Sequence, residues 1–92
     1  MESIRAGSVQ FQHRANDKAY NLSRVAHFVS EAANAGVRIL ALPEMCITGY
    51  WHVRNLGREA IAAIAEAVPA GPSVEIVAGL ARKHDMIIGA GL

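Results

Sequence analysis

An apolar run at residues 37–42 follows a glycine and stops at a proline, and this arrangement allows few folds. The run is apolar except for Arg38, which is typical of a parallel-sheet strand that is covered on both faces. A shorter and partly alternating segment at residues 4–11 also predicts a strand. The two strands are separated by enough residues for a helical crossover, so the sequence predicts a βαβ unit with a right-handed connection.

The segment between the two strands predicts one long amphipathic helix. Asn16 or Asp17 can cap its N-terminus by accepting hydrogen bonds from the first-turn amides. Gly36 supplies a C-terminal stop, because glycine enters the left-handed region without a steric cost. Apolar residues recur at three- and four-residue spacing on one face of this helix: Leu22, Val25, Phe28, Val29, Ala32 and Ala33.

After the second strand, the chain predicts a loop, two helices and a third strand. Residues 51–56 are loop-like, and residues 58–68 form an Ala-rich helix that PAGP ends. Another helix runs from Pro72 to about His84, and residues 86–92 predict a third buried strand. We expect three residues of this last helix, which begins at Pro72, to face inward: Ile76, Val77 and Leu80. The predicted fold class is therefore α/β, with a βαβ unit followed by two helices and a third strand.

The length of the chain allows one small domain. A chain of 92 residues buries only about 60% of the surface that its unfolded form exposes. Natural domains seldom stop on a buried strand with no following cap or helix. We therefore expect residues 1–92 to be the N-terminal fragment of a single larger domain.

The charge balance and the cysteine content exclude several classes of protein. Nine Lys and Arg against eight Asp and Glu leave a formal net charge of +1, which favours neither nucleic acid nor an anionic membrane as a partner. No apolar run approaches the roughly 20 residues of a membrane helix, and the N-terminus lacks signal-peptide features. Cys46 is the single cysteine. These observations predict a cytoplasmic protein from a reducing compartment.

Glu44 is the candidate catalytic residue, because ligands of open α/β sheets bind beyond the carboxyl ends of the strands. It follows the second strand by two residues. Pro43 cannot donate to the ladder, so it ends the pairing and restricts the backbone before Glu44. We expect partial desolvation to raise the pKa of this carboxyl group, which suits a general base near neutral pH.

Four motifs in this order resemble the nitrilase superfamily of carbon–nitrogen hydrolases: VQF, Asp-Lys followed by Asn-Leu, LPEMCITGY and VPAGPS. The resemblance implies an αββα sandwich, of which this chain is the N-terminal part. It also implies a Glu-Lys-Cys set that hydrolyses amides, carbamoyl compounds or nitriles through a thioester, without metal or organic cofactor. TGY is more similar to the amidase and carbamoylase branches. The implied partners are a small amide or carbamoyl substrate and, for the intact protein, further copies of itself in a homo-oligomer.

Of the family's catalytic set, the resemblance places only the glutamate, Glu44, in this chain. Lys18 and Lys83 do not match the family's lysine. Cys46 occupies a position where family members usually carry an apolar residue, and a lone cysteine in an apolar segment is typically a small buried hydrophobe. The resemblance therefore implies that the lysine and the nucleophilic cysteine lie beyond residue 92.

Other polar and aromatic residues have alternative interpretations. Tyr50 and Trp51 follow the glutamate closely, so they either line a substrate pocket or pack the loop against the sheet. Thr48 and Gly49 are expected to shape the turn, Thr48 through a hydroxyl-to-backbone hydrogen bond and Gly49 through its conformational freedom. No two histidines have metal-ligand spacing, so no zinc site is expected: His13, His27, His52 and His84.

Two functions from other classes remain open at this point. The chain could be a non-catalytic fragment or pseudoenzyme with a folding or interaction role. It could also be a small nucleotide-binding α/β module. The second alternative is disfavoured, because the loop QHRAND between the first strand and the helix lacks a glycine that would let the backbone approach a phosphate.

Overall fold

The computed structural model describes residues 3–92 and contains a parallel sheet with helices packed on one face. The three strands have the order β1-β2-β3 in the sheet. Their bounds are Arg5–Ser8, Val37–Ala41 and Ile87–Gly89 for β1 to β3. The helices α1 to α4 are Lys18–Asn34, Tyr50–Val53, Arg58–Ile64 and Pro72–His84. The β1-α1-β2 unit and the parallel third strand confirm the predicted α/β fold class.

Helix α1 begins and ends where its capping residues predict. The Asp17 carboxylate accepts a hydrogen bond from the Tyr20 amide at 3.0 Å, so Asp17 is the N-cap. Asn16 lies one residue outside, with a positive φ of 54°. Gly36 adopts a φ of 80° after the last turn, which agrees with its expected role as the stop signal. The carboxylate of Asp17 thus already occupies the helix terminus that a phosphate would need.

The hydrophobic core lies between one face of the sheet and the helices α1 and α4. Helix α1 contributes Val25 and Val29, which are fully buried, as the apolar spacing predicted. Strand β2 contributes Val37 and Leu40. Residues outside the regular elements complete the core: Cys46, Ile47 and Met86. Helix α1 therefore packs directly on β2, the strand that leads to Glu44.

The opposite face of the sheet is open within residues 3–92, contrary to the prediction that the strands are covered on both faces. Ala6, Ile39 and Ile87 pair across the three strands and project to the same side. Ile39 is 41% exposed and Ile87 is 67% exposed, because α1 and α4 both pack on the other face. Strand β3, predicted as a buried strand, is covered on one face only, and its open second face is what the sequence predicts for residues 1–92 on their own.

One unpredicted helix and the end of another helix differ from the prediction. Residues 50–53 form the short helix α2 rather than a loop, because Val53 and Arg54 donate to the carbonyls of Gly49 and Tyr50. Four residues are too few for a helical period to be visible in the sequence. Helix α3 ends at Ile64, not at residue 68, because Ala65 adopts an extended ψ of 147°.

No helix among residues 3–92 has the length and apolar character required to cross a bilayer.

Strand lengths and one core residue also differ from the prediction. Strand β1 covers four of the residues predicted at 4–11, and β3 covers three of those predicted at 86–92. After Gly89 the chain leaves the ladder, and the backbone of Gly91 lies against the turn that follows β2. Ile76 is exposed on α4, whereas Val77 and Leu80 pack against the core as predicted.

Candidate active site

Glu44 lies beyond the carboxyl end of β2, as the sequence predicted. The Leu42 amide donates to the Gly89 carbonyl at 2.8 Å, which extends the pairing with the end of β3 by one residue. Pro43 follows and has no N–H group to continue the ladder. Glu44 itself is exposed, so the desolvation expected for its carboxylate is not provided by residues 3–92.

Glu44 begins a turn, residues 44–49, that we call the Glu44 turn. Met45 adopts a positive φ of 48°, which is uncommon for a residue with a side chain. The Gly49 amide closes the turn by donating to the Met45 carbonyl at 2.8 Å. Residues 46–49 are all buried, whereas Glu44 is exposed. The backbone of this turn is thus enclosed by the fold while its first side chain remains accessible.

A buried asparagine on α1 forms a hydrogen bond with the backbone of the Glu44 turn. The Asn21 side-chain amide donates to the Ile47 carbonyl at 2.8 Å. The same side chain bonds both backbone groups of Arg14, at 2.7 and 2.8 Å. Asn21 therefore ties together the loop after β1, helix α1 and the turn after β2. In the sequence, Asn21 stands out only as part of the Asn-Leu motif, and its position on the apolar face of α1 is the one signal of its burial.

The far end of the turn is held by the loop between β1 and α1. Gly49 has a φ of 102°, and a Cβ atom there would lie 3.0 Å from Cδ2 of His13. The Asn16 amide also donates to the Thr48 carbonyl at 3.2 Å. The positive φ of Gly49 agrees with its expected role in the turn, whereas the hydroxyl-to-backbone hydrogen bond expected of Thr48 is not made among residues 3–92. The backbone of the turn is consequently held by two segments that precede β2 in the chain.

Cys46 lies two residues from Glu44 but is enclosed by the core. It is fully buried, and its Sγ atom lies 3.9 Å from the Gly91 carbonyl oxygen. Burial raises the pKa of the Cys46 thiol. Because the thiolate is the reactive form, this environment makes Cys46 a packing residue rather than a nucleophile.

Tyr50 and Trp51 emerge directly after the Glu44 turn, on α2. Both rings are exposed, and they contact each other edge to face with centroids 5.4 Å apart. The Arg54 guanidinium lies 4.9 Å from the centre of the Trp51 ring, within the range of a cation–π contact. The structure therefore brings the two aromatic residues together next to the turn and leaves both of them exposed.

An apolar cavity of about 260 Å³ lies between the Glu44 turn and helices α2 and α3. Met45 and Thr48 line it from the turn, and Val53, Ile61 and Ile64 line it from the helices. The Thr48 hydroxyl is buried and has no hydrogen-bond partner among the described residues. The cavity provides apolar surface close to the turn, at the edge of the sheet where α/β proteins bind ligands.

A buried charge cluster that the sequence did not predict joins α1 to α4. The Lys18 ammonium donates to the Ile64 carbonyl at 2.6 Å and to Glu66 at 2.7 Å. Glu66 also accepts hydrogen bonds from the Ser73 amide and hydroxyl, at 2.7 and 2.6 Å. The one signal in the sequence was Gly71, an N-cap residue of α4 that has no side chain to bond the helix amides.

The environment of Glu66 determines its protonation. Burial by itself would raise the pKa of Glu66, since its side chain is only 7% exposed. The hydrogen bonds from Lys18 and Ser73 and the Lys18 charge outweigh that effect and lower the pKa of Glu66 to about 2. Glu66 is therefore a charged structural residue near neutral pH, and it completes the N-terminal capping of α4.

The two lysines of the chain occupy positions that do not serve the Glu44 carboxylate. Lys18 is bound to Glu66 and to a backbone carbonyl. Lys83 lies in the last turn of α4, which leads into the amino end of β3. Because β3 is parallel to β2, that end is at the opposite edge of the sheet from Glu44.

In the part of the chain that the structure describes, no three His, Cys, Asp or Glu side chains come together as a metal site would require.

No curated protein matches the chain. The sequence model of one protein family, described as carbon-nitrogen hydrolase, matches residues 5–92. That match includes the Glu44 turn, both of its supports and the buried charge cluster.

Proposed function

Because the chain belongs to the carbon–nitrogen hydrolase family, we propose that Glu44 is the general base of an enzyme that hydrolyses a small amide or carbamoyl compound. One observation carries this proposal. Glu44 is an accessible carboxylate at the carboxyl end of a central strand, on a turn whose backbone is held by buried contacts. A positioned base needs this combination of an accessible side chain and a fixed backbone.

In the proposed reaction, Glu44 takes the proton of a cysteine thiol, and the thiolate attacks the carbonyl carbon of the substrate. A lysine and a backbone amide stabilise the tetrahedral oxyanion. The carbon–nitrogen bond then breaks, and Glu44 returns the proton to the leaving nitrogen, so ammonia departs and a thioester remains. Water adds to the thioester while Glu44 accepts a proton, which releases the acid and restores the thiol. One amide and one water are consumed, and one acid and one ammonia are formed.

The lysine and the cysteine of this mechanism are proposed to come from a segment outside residues 1–92. Three observations support this assignment. Cys46 is buried with a raised pKa, Lys18 is held by Glu66, and Lys83 lies at the other edge of the sheet. The resemblance of LPEMCITGY and VPAGPS to the nitrilase superfamily indicates where such residues would be found.

The same proposal makes residues 1–92 the N-terminal part of an αββα sandwich. The open face of the sheet supports it, because exposed Ile39 and Ile87 form an apolar surface that a second layer would cover. In the intact protein, such a layer would also reduce the exposure of Glu44. A homo-oligomer and a cytoplasmic location belong to the proposal on the strength of the resemblance and of the unpaired Cys46.

Tyr50 and Trp51 are proposed to contact the substrate. Their rings are exposed directly after the Glu44 turn, and the interpretation that they pack the loop against the sheet finds no burial to support it. The apolar cavity beside Met45 and Thr48 offers adjacent surface for the non-reacting part of a small substrate. The amidase and carbamoylase branches are the preferred classes because of the TGY motif.

The test is a Glu44→Gln substitution in the intact natural protein. Ammonia release is measured with a simple aliphatic amide and with an N-carbamoyl amino acid. We expect kcat to fall by at least about 100-fold, the lower contribution of a positioned general base, while KM changes little. The matched control is Glu59→Gln, an exposed glutamate in the first turn of α3.

Circular dichroism establishes that both variants are folded. A folded Glu44→Gln protein with the wild-type kcat would show that Glu44 is only a loop residue. An intact wild-type protein that releases no ammonia from a broad panel of amides, carbamoyl compounds and nitriles would favour the non-catalytic alternative.

A further inference from the structure

We propose that Gly91 is a positioning residue for Glu44. The chain after β3 passes directly against the peptide that joins Glu44 to Met45, and the absence of a side chain at position 91 allows this approach. The end of the third strand thereby determines where the Glu44 backbone lies. This inference rests on the proposed role of Glu44 as general base.

Three contacts join the segment after β2 to the segment after β3. The Leu42 amide donates to the Gly89 carbonyl at 2.8 Å. The Cys46 sulfur lies 3.9 Å from the Gly91 carbonyl oxygen. Between these two points, the backbone of Gly91 faces the backbone of Glu44 and Met45. The first two contacts set the register of these two segments. The segments therefore cannot slide past each other to avoid the contact between Gly91 and the Glu44–Met45 backbone.

The approach at Gly91 leaves no room for a methyl group. An added Cβ atom would lie 2.4 Å from the Met45 nitrogen and 3.1 Å from Glu44 Cα. Ordinary contacts of a Cβ atom begin at 3.4 Å, so the backbone would have to separate by about 1 Å. Both neighbouring atoms belong to the main chain, and a rotamer change cannot relieve the contact.

The displaced atoms would be those of Glu44 and Met45 rather than those of the rest of the turn. Ile47 is held by Asn21, and Cys46 is fully buried in the core. Glu44 is exposed, so its side of the contact can move at lower cost. A shift of about 1 Å in a catalytic group is enough to reduce the rate about 100-fold, because proton transfer requires hydrogen-bond distance.

Two other glycines, Gly79 and Gly89, do not share this constraint. A Cβ atom at Gly79, on α4, would meet no atom within 4 Å among the described residues. At Gly89, two residues before Gly91, the nearest atom is the Leu40 carbonyl oxygen at 4.0 Å. Neither of these two glycines has the close backbone approach that Gly91 has to Glu44 and Met45.

The experiment compares Gly91→Ala with Gly79→Ala in the intact natural protein. Ammonia release is measured with the amide or carbamoyl substrate that the wild-type protein turns over. We expect Gly91→Ala to lower kcat by about 10- to 100-fold and to change KM by less than about threefold, because the misplaced group acts in the transition state. Gly79→Ala should keep the wild-type kcat. A folded Gly91→Ala protein with the wild-type kcat would overturn the inference.

A double-mutant cycle separates positioning from general damage. If Gly91 acts through Glu44, then adding Gly91→Ala to Glu44→Gln should lower the residual kcat by less than about twofold. A structural defect elsewhere in the site would lower it by the same factor as in the wild-type background, and that result would contradict the inference. Glu44→Gln by itself tests the proposed function, so failure of the two ideas is distinguishable.

A second variant applies if Gly91→Ala does not fold. Met45→Gly removes the steric cost of the positive φ at position 45, and the backbone can then yield to the added methyl group. We expect Met45→Gly with Gly91→Ala to fold and to have a kcat at least about 10-fold below that of Met45→Gly alone. Equal kcat values in these two proteins would overturn the inference.

Discussion

The Lys18 ammonium lies 2.7 Å from the Glu66 carboxylate, although 48 residues separate them in the chain. Glu66 also accepts two hydrogen bonds from Ser73, at the start of α4. The pair therefore joins the N-terminus of α1 to the N-terminus of α4. Since α4 leads into β3 and so to Gly91, this buried cluster helps to set the chain that contacts the Glu44 turn.

The Glu66 cluster predicts a specific dependence of stability on pH. The folded-state pKa of Glu66 is about 2, below the ordinary value of 4.5. A depressed pKa stabilises the folded state above pH 4.5, and that stabilisation is lost as the pH falls from about 4.5 toward 2. The shift corresponds to roughly 3 kcal/mol.

Urea unfolding of the intact protein checks this prediction against Glu66→Gln. The difference in unfolding free energy between the two proteins should be largest at pH 7 and should shrink by pH 3. Glu59→Gln, on the exposed surface of α3, serves as the matched control and should show little change. A difference at Glu66 that is the same at pH 7 and pH 3 would contradict the lowered pKa.

Cys46 is expected to resist thiol reagents in the intact folded protein. It is fully buried, and burial raises the pKa of its thiol, so little thiolate forms at neutral pH. Peptide mass spectrometry after brief treatment with iodoacetamide at pH 7 measures its modification separately from that of other cysteines. Unfolding in urea should make Cys46 fully reactive. Rapid stoichiometric labelling of the folded protein at Cys46 would show that the residue is accessible.

Residues 1–92 on their own are expected not to form a stable monomer. The face of the sheet that carries Ile39 and Ile87 is open, and apolar sheet surfaces of this kind associate. Light scattering should show association, and replacing both isoleucines by Lys should reduce it. Ile76→Lys, on the exposed side of α4, should have little effect. A monodisperse monomer with a cooperative thermal transition would disprove this prediction.

Trp51→Ala is expected to weaken substrate binding in the intact protein. Trp51 follows the Glu44 turn, is strongly exposed and offers apolar surface. If it contacts the substrate in the ground state, its loss should raise KM by about 5- to 30-fold, equivalent to about 1–2 kcal/mol, with a smaller change in kcat. Ile76→Ala, at an exposed apolar residue of α4, is the control. An unchanged KM would show that Trp51 does not contribute to substrate binding.

Local patterns were sufficient to predict the order of the elements and the position of Glu44. The spacing of Val25 and Val29, the cap at Asp17 and the stop at Gly36 all act within a few residues, so the sequence records them directly. Pro43 after an apolar run likewise marks a strand end. Because strands of a βαβ unit are parallel, the edge at which Glu44 lies followed from its place in the chain.

Tertiary structure alone decided how that edge is held. The contact of Gly91 with Glu44 joins residues 47 positions apart, and no spacing or composition marks it. The pairing of Lys18 with Glu66 is equally distant in the chain, and it accompanies an early end of α3 that an Ala-rich segment did not predict. The extent to which Ile87 is exposed also depends on tertiary packing, because an apolar run does not show how many layers cover a sheet. Such features depend on which elements pack together, whereas sequence periodicity reports only the face that each element can bury.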